Sequence, residues 1–153
     1  MQPLSADRLV RQPPELVYAF LAELENHWRL DDRHLRLERL NHDGRGGRIV
    51  ISGPLGLRRA ARVSLTDTEP PRRVTGSAAI GRRTEARVTW EIEPEEQGAR
   101  VTLEALALSA GPIDRLLLAS GGRWWLRRRF RSVLVQLASA LEQQRAPRLP
   151  LAA

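Results

Sequence analysis

A long amphipathic stretch near the C-terminus, residues 111–144, constrains the fold more than any other part of the sequence. Its apolar residues recur at steps of three and four, which places them on one face of a helix. They are Leu126, Phe130, Val133, Leu134, Leu137 and Leu141. A helix of about 20 residues spans roughly 30 Å, which is long enough to cross a curved sheet. The sequence therefore predicts strands arranged around one long C-terminal helix.

Short runs of alternating apolar and polar residues precede this helix, and turn residues separate them. The clearest run is residues 87–92, in which Val88, Trp90 and Ile92 alternate with polar residues, as in a strand with one buried face. Near the N-terminus, Pro13-Pro14-Glu15 favours the start of a helix. The predicted order is a strand, one or two short helices, a meander of about six strands and the long helix. Because short hairpins pair antiparallel strands, we expect an α+β fold with a curved antiparallel sheet of about seven strands.

A chain of 153 residues is typical of one domain, and we expect residues 1–144 to form it, with residues 145–153 as a loose C-terminal tail. The absence of cysteine excludes a disulfide framework and a thiolate metal site, and it fits a reducing cytosol. The first 15 residues lack the apolar segment of a secretory signal. No apolar run approaches the roughly 18 residues of a membrane span. These features predict a cytoplasmic protein.

The chain has a net charge of +7, and all of its long basic side chains are arginine. A basic balance is compatible with binding to nucleic acid or to an acidic membrane. The use of arginine alone is also typical of a genome-wide bias in composition. Aromatic residues are few, and the arginines are spread over most turns of the long helix instead of forming one stripe. We therefore do not expect nucleic acid as a partner.

Four segments of the chain resemble one known family. Residues 14–21 (PELVYAFL) are similar to its first helix, and residues 25–28 (ENHW) to the loop that carries its habitual tryptophan. Residues 69–74 (EPPRRV) are similar to a turn between its middle strands, and residues 98–104 (GARVTLE) to its penultimate hairpin. On these segments the chain resembles the START/Bet v 1-like (SRPBCC) superfamily, in particular its bacterial polyketide cyclase/dehydrase-like branch, over residues 5–144. The resemblance implies a helix-grip fold, in which the sheet grips the long helix around a cavity. It also implies a hydrophobic ligand such as a lipid, a quinone or a polyketide.

Small residues on the apolar faces of several strands indicate a cavity. Ala61, Gly76, Ala78, Ala105 and Ala107 stand where a sheet packed tightly on a helix would use Val, Ile or Leu. The alternative is that alanine lets the helix approach closely, and the resemblance favours the cavity. The residues predicted to line it and to bind an apolar ligand are Trp28, Ala61, Val63, Gly76, Ala78, Val88, Trp90, Leu103, Ala105, Ala107, Leu126 and Phe130.

Catalysis in such a cavity would require polar side chains among the apolar walls, and the sequence offers only weak candidates for them. No Gly-x-Ser-x-Gly elbow, phosphate loop or dinucleotide-binding glycine motif is present. The candidates for acid–base catalysis near the cavity mouth are Tyr18, His27, Arg29 and His34.

His27, Asp31 and His34 would imitate a metal site if they lay on one helix. The strand pattern that begins at Leu35 indicates that they do not share a helix, so that we interpret their spacing as accidental. We therefore predict no metal and no cofactor. A carrier or sensor of an apolar small molecule ranks first, and a polyketide cyclase/aromatase or dehydratase-like enzyme is the alternative.

Two adjacent tryptophans stand near the start of the long helix. With the apolar face of the helix toward the core, Trp124, Arg128 and Arg131 fall on nearly the opposite side. One hypothesis is an exposed tryptophan beside arginines that contacts a membrane surface or a partner protein. The other, which we favour, is that Gly121-Gly122 breaks the helix so that both tryptophans turn inward, or that arginine stems cover Trp124. The sequence leaves both a monomer and a homodimer open.

Overall fold

A computed structural model describes residues 2–31, 34–53 and 56–145 of the chain. The elements follow one another in the order that the sequence predicts. They are β1 (Leu4–Val10), α1 (Pro14–Leu21), α2 (Leu24–Arg29), β2 (Leu35–Leu40), β3 (Gly46–Ser52), β4 (Arg58–Glu69), β5 (Arg73–Ile80), β6 (Thr84–Glu95), β7 (Gly98–Ser109), α3 (Pro112–Leu117), a π-helical turn (Leu118–Gly122) and α4 (Arg123–Arg145). Residues 146–153 of the predicted tail lie outside the described residues.

The strands form one antiparallel sheet in the order β1-β7-β6-β5-β4-β3-β2. From β2 to β7 each strand pairs with the next along the chain, as expected for a meander closed by short turns. β1 pairs with β7, so that the first strand completes the sheet beside the last one. The predicted helix-grip fold, a curved antiparallel sheet of seven strands with a long C-terminal helix, is confirmed.

The second half of α4 supplies the buried centre of the core. Leu134, Leu137 and Leu141 are fully buried and belong to one cluster with apolar residues of the sheet and of α1. This cluster confirms the predicted apolar face of the helix. Gln12, which precedes α1, is also buried, and its side-chain amide donates a hydrogen bond to the carbonyl of Leu141 at 2.9 Å. The bond ties the C-terminal half of α4 to the start of α1 and satisfies two buried polar groups at once.

The C-terminal stretch is two helices joined by a bend. At the bend, Ser120 and Gly121 depart from helical backbone angles, and Gly121 has a φ of 95°, which favours glycine. A Cβ at Gly122 would lie 2.4 Å from the carbonyl oxygen of Leu117, so that this position also requires glycine. The two glycines therefore break the helix, as one of the two hypotheses about this segment predicts.

The buried face of α4 predicts a large loss of stability when a core leucine is truncated. Leu137→Ala removes a fully buried side chain and should lower the free energy of unfolding by about 2–5 kcal/mol. Val135→Ala, on the exposed side of the same helix, should change it by less than about 0.5 kcal/mol. Urea unfolding followed by circular dichroism measures both values. Equal losses for the two variants would contradict this packing.

Candidate ligand-binding site

Two adjoining apolar cavities lie between the sheet and α4. The larger, of about 310 Å³, is lined by α2, by strands β2 to β7 and by the first half of α4. The smaller, of about 210 Å³, extends toward α3 and the bend. The two share the lining residues Ile51, Ile80, Ala86, Ala105 and Leu126. Because an apolar cavity of about 150 Å³ can hold benzene, each of these has room for a small apolar molecule.

The structure places every predicted ligand-binding residue except Ala61 on one of the two cavities. Those on the larger cavity are Trp28, Val63, Gly76, Ala78, Val88, Trp90, Leu103, Ala105, Leu126 and Phe130, and those on the smaller are Ala105, Ala107 and Leu126. Ala61 is buried within the sheet, where its register partners are Ile49 and Ile80. These two larger side chains flank its methyl group, which reaches neither cavity. Ligand binding by the other residues stays a prediction.

The smaller cavity has a polar end that the sequence analysis missed. Asp114, in the first turn of α3, accepts hydrogen bonds from Arg59 on β4 and from the Thr84 hydroxyl on β6. The Thr84 oxygen accepts in turn from the backbone N–H of Gly111 at 3.0 Å. This network fixes α3 over the end of the sheet. Its one signal in the sequence is the acidic residue just after Gly111-Pro112, which is typical of a helix start.

Two charged side chains line the larger cavity and pair with each other. Arg129 on α4 donates from Nη2 to Asp31, which follows α2, and the two side chains are only 13% and 14% exposed. The Arg129 guanidinium also lies 4.6 Å from the ring centre of Trp125. His34 donates from Nδ1 to the other Asp31 oxygen at 2.9 Å. A buried pair of this kind needs both partners, because either charge alone is costly to bury.

His27 is the catalytic candidate that lines the larger cavity. Its Nε2 donates to the carbonyl of Leu21 at 2.7 Å, and its ring meets the edge of Trp90 with 5.7 Å between ring centres. Burial lowers the pKa of His27 below its usual value of 6.5, although the hydrogen bond to Leu21 opposes this shift. The ring is therefore neutral at pH 7. With the proton on Nε2, Nδ1 keeps a lone pair that can accept a hydrogen bond or a proton.

The other three catalytic candidates line neither cavity. Tyr18 packs against the core, half-buried, and Arg29 is exposed because the helical turn that points His27 inward points Arg29 outward. His34 lies behind Asp31, to which it donates. The structure thus separates residues that the sequence placed together at the cavity mouth. Within residues 2–31, 34–53 and 56–145, no three His, Asp or Glu side chains are grouped so that they could hold a metal ion.

The two tryptophans at the start of α4 point in different directions. Trp125 lines the smaller cavity, whereas Trp124 is 66% exposed, with the Arg128 guanidinium 5.6 Å from its ring centre. Arg131 is exposed on the same side of the helix. Neighbouring residues of a regular helix point about 100° apart, and α4 is already helical at these positions. The favoured expectation, that both tryptophans turn inward or that arginine covers Trp124, is therefore wrong for Trp124.

Comparison with known proteins gives the family of this chain. A family model described as polyketide cyclase/dehydrase and lipid transport matches residues 1–142. The chain belongs to this family. The resemblance predicted from the sequence is thereby confirmed. The fold of the polyketide cyclase/dehydrase and lipid transport family supports a role in binding a hydrophobic ligand, and the two cavities supply apolar space for one.

Solved structures share the fold of this polyketide cyclase/dehydrase family member. TTHA0849 from Thermus thermophilus is 22% identical, with a TM-score of 0.69 over 94% of this chain and 99% of that one. Ms6760 from Mycobacterium smegmatis is 14% identical, with a TM-score of 0.67 over 91% and 90% of the two chains. CV1439 from Chromobacterium violaceum is 21% identical, with a TM-score of 0.63 over 93% and 99%. At these identities the likeness shows the fold alone. A comparison with curated proteins gave no match.

The neutral state of His27, which is partly shielded from water, predicts a dependence of stability on pH. The unfolded chain binds a proton at this histidine near pH 6.5, whereas the folded chain binds it only at lower pH. The free energy of unfolding should therefore fall as the pH drops below 6.5, with a slope of up to about 1.4 kcal/mol per pH unit from this group. His27→Gln, whose amide can still donate to the Leu21 carbonyl, should remove that part of the slope.

Urea unfolding at several pH values between neutrality and mild acid measures this slope. His42→Gln, at an exposed turn position, is the matched control and should keep the wild-type slope. An unchanged slope in His27→Gln would show that His27 does not resist protonation in the folded protein.

Proposed function

We propose that this family member binds an apolar small molecule, such as a lipid, a quinone or a polyketide-like compound, in the larger cavity and acts as its carrier or sensor. The observation that supports this most strongly is the wall of the cavity, which is almost entirely aliphatic and aromatic. Water makes few hydrogen bonds in such a space, whereas an apolar molecule gains contacts there and is removed from bulk water. Shape and burial of the ligand would therefore provide most of its affinity.

The proposal also covers the domain organisation, the location and the partners of the protein. We expect residues 1–144 to act as one domain, in the cytoplasm, as a monomer or a homodimer and without nucleic acid. No helix in the described part of the chain is long and apolar enough to cross a bilayer. The ligand, in this proposal, is held between the sheet and α4 while it is moved or sensed.

An enzyme of the cyclase or dehydratase type that uses the same cavity is the alternative. Its support is His27, whose neutral ring can take a proton from a substrate held against the wall. General acid–base catalysis would pair this base with a group that stabilises developing negative charge. Arg129 is a charged donor on the same wall, but Asp31 already engages it. We rank the carrier first because the lining of the cavity is mostly apolar, with His27, the Asp31–Arg129 pair and two serines as its polar residues.

Filling the larger cavity tests the proposal. Ala78 lines the cavity, whereas Ala79, the next residue of β5, points to the other side of the sheet and lines neither cavity. Ala78→Phe should lower the occupancy of a co-purified apolar ligand at least about tenfold, because its ring takes the same space. Ala79→Phe should leave the occupancy unchanged. Native mass spectrometry before and after organic extraction measures both values.

Two results would contradict the carrier proposal. One is protein that is empty after purification from its own host under several growth conditions. The other is an equal loss of ligand in Ala78→Phe and Ala79→Phe, which would mean that the bound molecule lies outside the larger cavity.

A second candidate function, contact with a membrane, has its own support around the bend between α3 and α4. Ile113, Leu116 and Trp124 are 65–67% exposed, which is unusual for such large apolar side chains. Residues 115–141 contain six arginines and no acidic residue, so that the surface beside these apolar groups is positively charged. Exposed apolar side chains flanked by arginine suit the surface of an anionic bilayer. The neighbouring Leu117 and Leu118 line the smaller cavity, which would place its edge at the lipid.

Binding to lipid vesicles tests this surface. Vesicles rich in phosphatidylglycerol should bind the protein at low salt and release it as salt rises, because exposed charges are screened. Trp124→Glu should weaken binding at least about tenfold, since a charge replaces an apolar group at the interface. Leu16→Glu, at a comparably exposed position on α1, is the control and should leave vesicle binding unchanged. Co-sedimentation measures the bound fraction, and equal weakening in both variants would contradict a specific surface.

A further inference from the structure

Arg129 is a mostly buried cation with unused hydrogen-bond donors on the wall of an apolar cavity. A guanidinium has five N–H donors, and within the described residues the side chain donates only through Nη2, to Asp31. Among those residues, Nε1 of Trp28 is the only side-chain nitrogen or oxygen that is fully buried without a partner. The unused donors of Arg129 are therefore reachable from the surrounding space, which includes the larger cavity.

The charge beside these donors restricts the acceptor that suits them. Asp31 balances the charge of Arg129, and within the described residues no other charged side chain lines this cavity. A carboxylate head group would face Asp31 and would bury a net negative charge in an apolar space. A neutral carbonyl oxygen can accept the same hydrogen bond without burying a further charge, and the bond offsets its loss of water.

We propose that the ligand carries a neutral oxygen acceptor, such as a ketone, quinone or ester carbonyl, that Arg129 binds, and that this contact selects against free carboxylic acids. The inference rests on the proposed function, because it names the chemical class of the molecule in that cavity. The unused donors of Arg129 favour a ligand that brings an acceptor.

Three probes of similar size distinguish the possible ligand classes. 2-Acetylnaphthalene carries a neutral carbonyl, 2-isopropylnaphthalene has an apolar branch in its place, and 2-naphthoate carries a carboxylate. Equilibrium dialysis against the full chain at pH 7, with each probe quantified by chromatography, gives three dissociation constants. The acetyl probe should bind roughly 10- to 100-fold more tightly than the isopropyl probe, as expected for a hydrogen bond to a charged donor. The naphthoate should bind more weakly than the acetyl probe.

Variants of the ion pair connect this preference to Arg129. The double variant Arg129→Met with Asp31→Asn removes both charges, so that neither is left buried without a partner. It should bind the acetyl and isopropyl probes with equal affinity. Asp31→Asn alone keeps the guanidinium and should improve binding of the naphthoate at least about tenfold, because the repelling carboxylate is gone. Arg131→Met, at an exposed position of the same helix that does not line the cavity, is the control and should keep the wild-type preference.

The outcomes separate this inference from the function on which it rests. Equal affinity of the wild type for the acetyl and isopropyl probes, or tightest binding of the naphthoate, would overturn the inference and leave apolar binding in place. A carbonyl preference that persists in the double variant would overturn the role of Arg129. If none of the three probes binds, the proposed function fails and the inference fails with it.

Discussion

The uneven packing of α4 on the sheet is the constraint on which both the core and the cavity depend. In the second half of the helix, Leu137 and Leu141 are fully buried, and Gln12 bonds to the carbonyl of the latter. In the first half, Leu126 and Phe130 lie over the larger cavity. Because one half of a rigid helix is fixed by the core, the other half can stand over open space without collapsing onto the strands.

The sheet contributes to the larger cavity because several of its strands carry small residues on the face toward α4. Gly76, Ala78, Ala86 and Ala105 line the larger cavity at positions where longer side chains would fill it. Atoms that line an empty apolar cavity lack packing partners on one side, which lowers the stability of the free protein. A ligand that fills the cavity restores those contacts and stabilises the folded state by mass action. The residues that weaken the empty fold are therefore the ones that make room for a ligand.

Periodic patterns explain which parts of the structure could be predicted from the sequence. Alternation along the strands and the three–four spacing of α4 identified the fold and most of the cavity wall, because both depend on local geometry. The Asp31–Arg129 pair and the Arg59–Asp114 pair could not be predicted in this way, since their partners lie 98 and 55 residues apart along the chain. The apolar spacing of α4 alone places Trp124 on the outer side of the helix, as the structure has it. The favoured inward direction is wrong because the break at Gly121-Gly122 ends before Trp124, and α4 is already helical from Arg123.

Arg129 connects these parts in a way that lysine could not. Its planar guanidinium pairs with Asp31, lies over the Trp125 ring and still has N–H groups left for the cavity. An ammonium group is a compact point charge without a flat face, so that it cannot do all three at once. Because Asp31 follows α2, this one side chain joins the end of α2 to α4, one turn after Trp125 on the wall of the smaller cavity. Stability and ligand selection are therefore coupled at this position, and a change in one of them cannot be assigned to Arg129 unless the other is measured on the same variant.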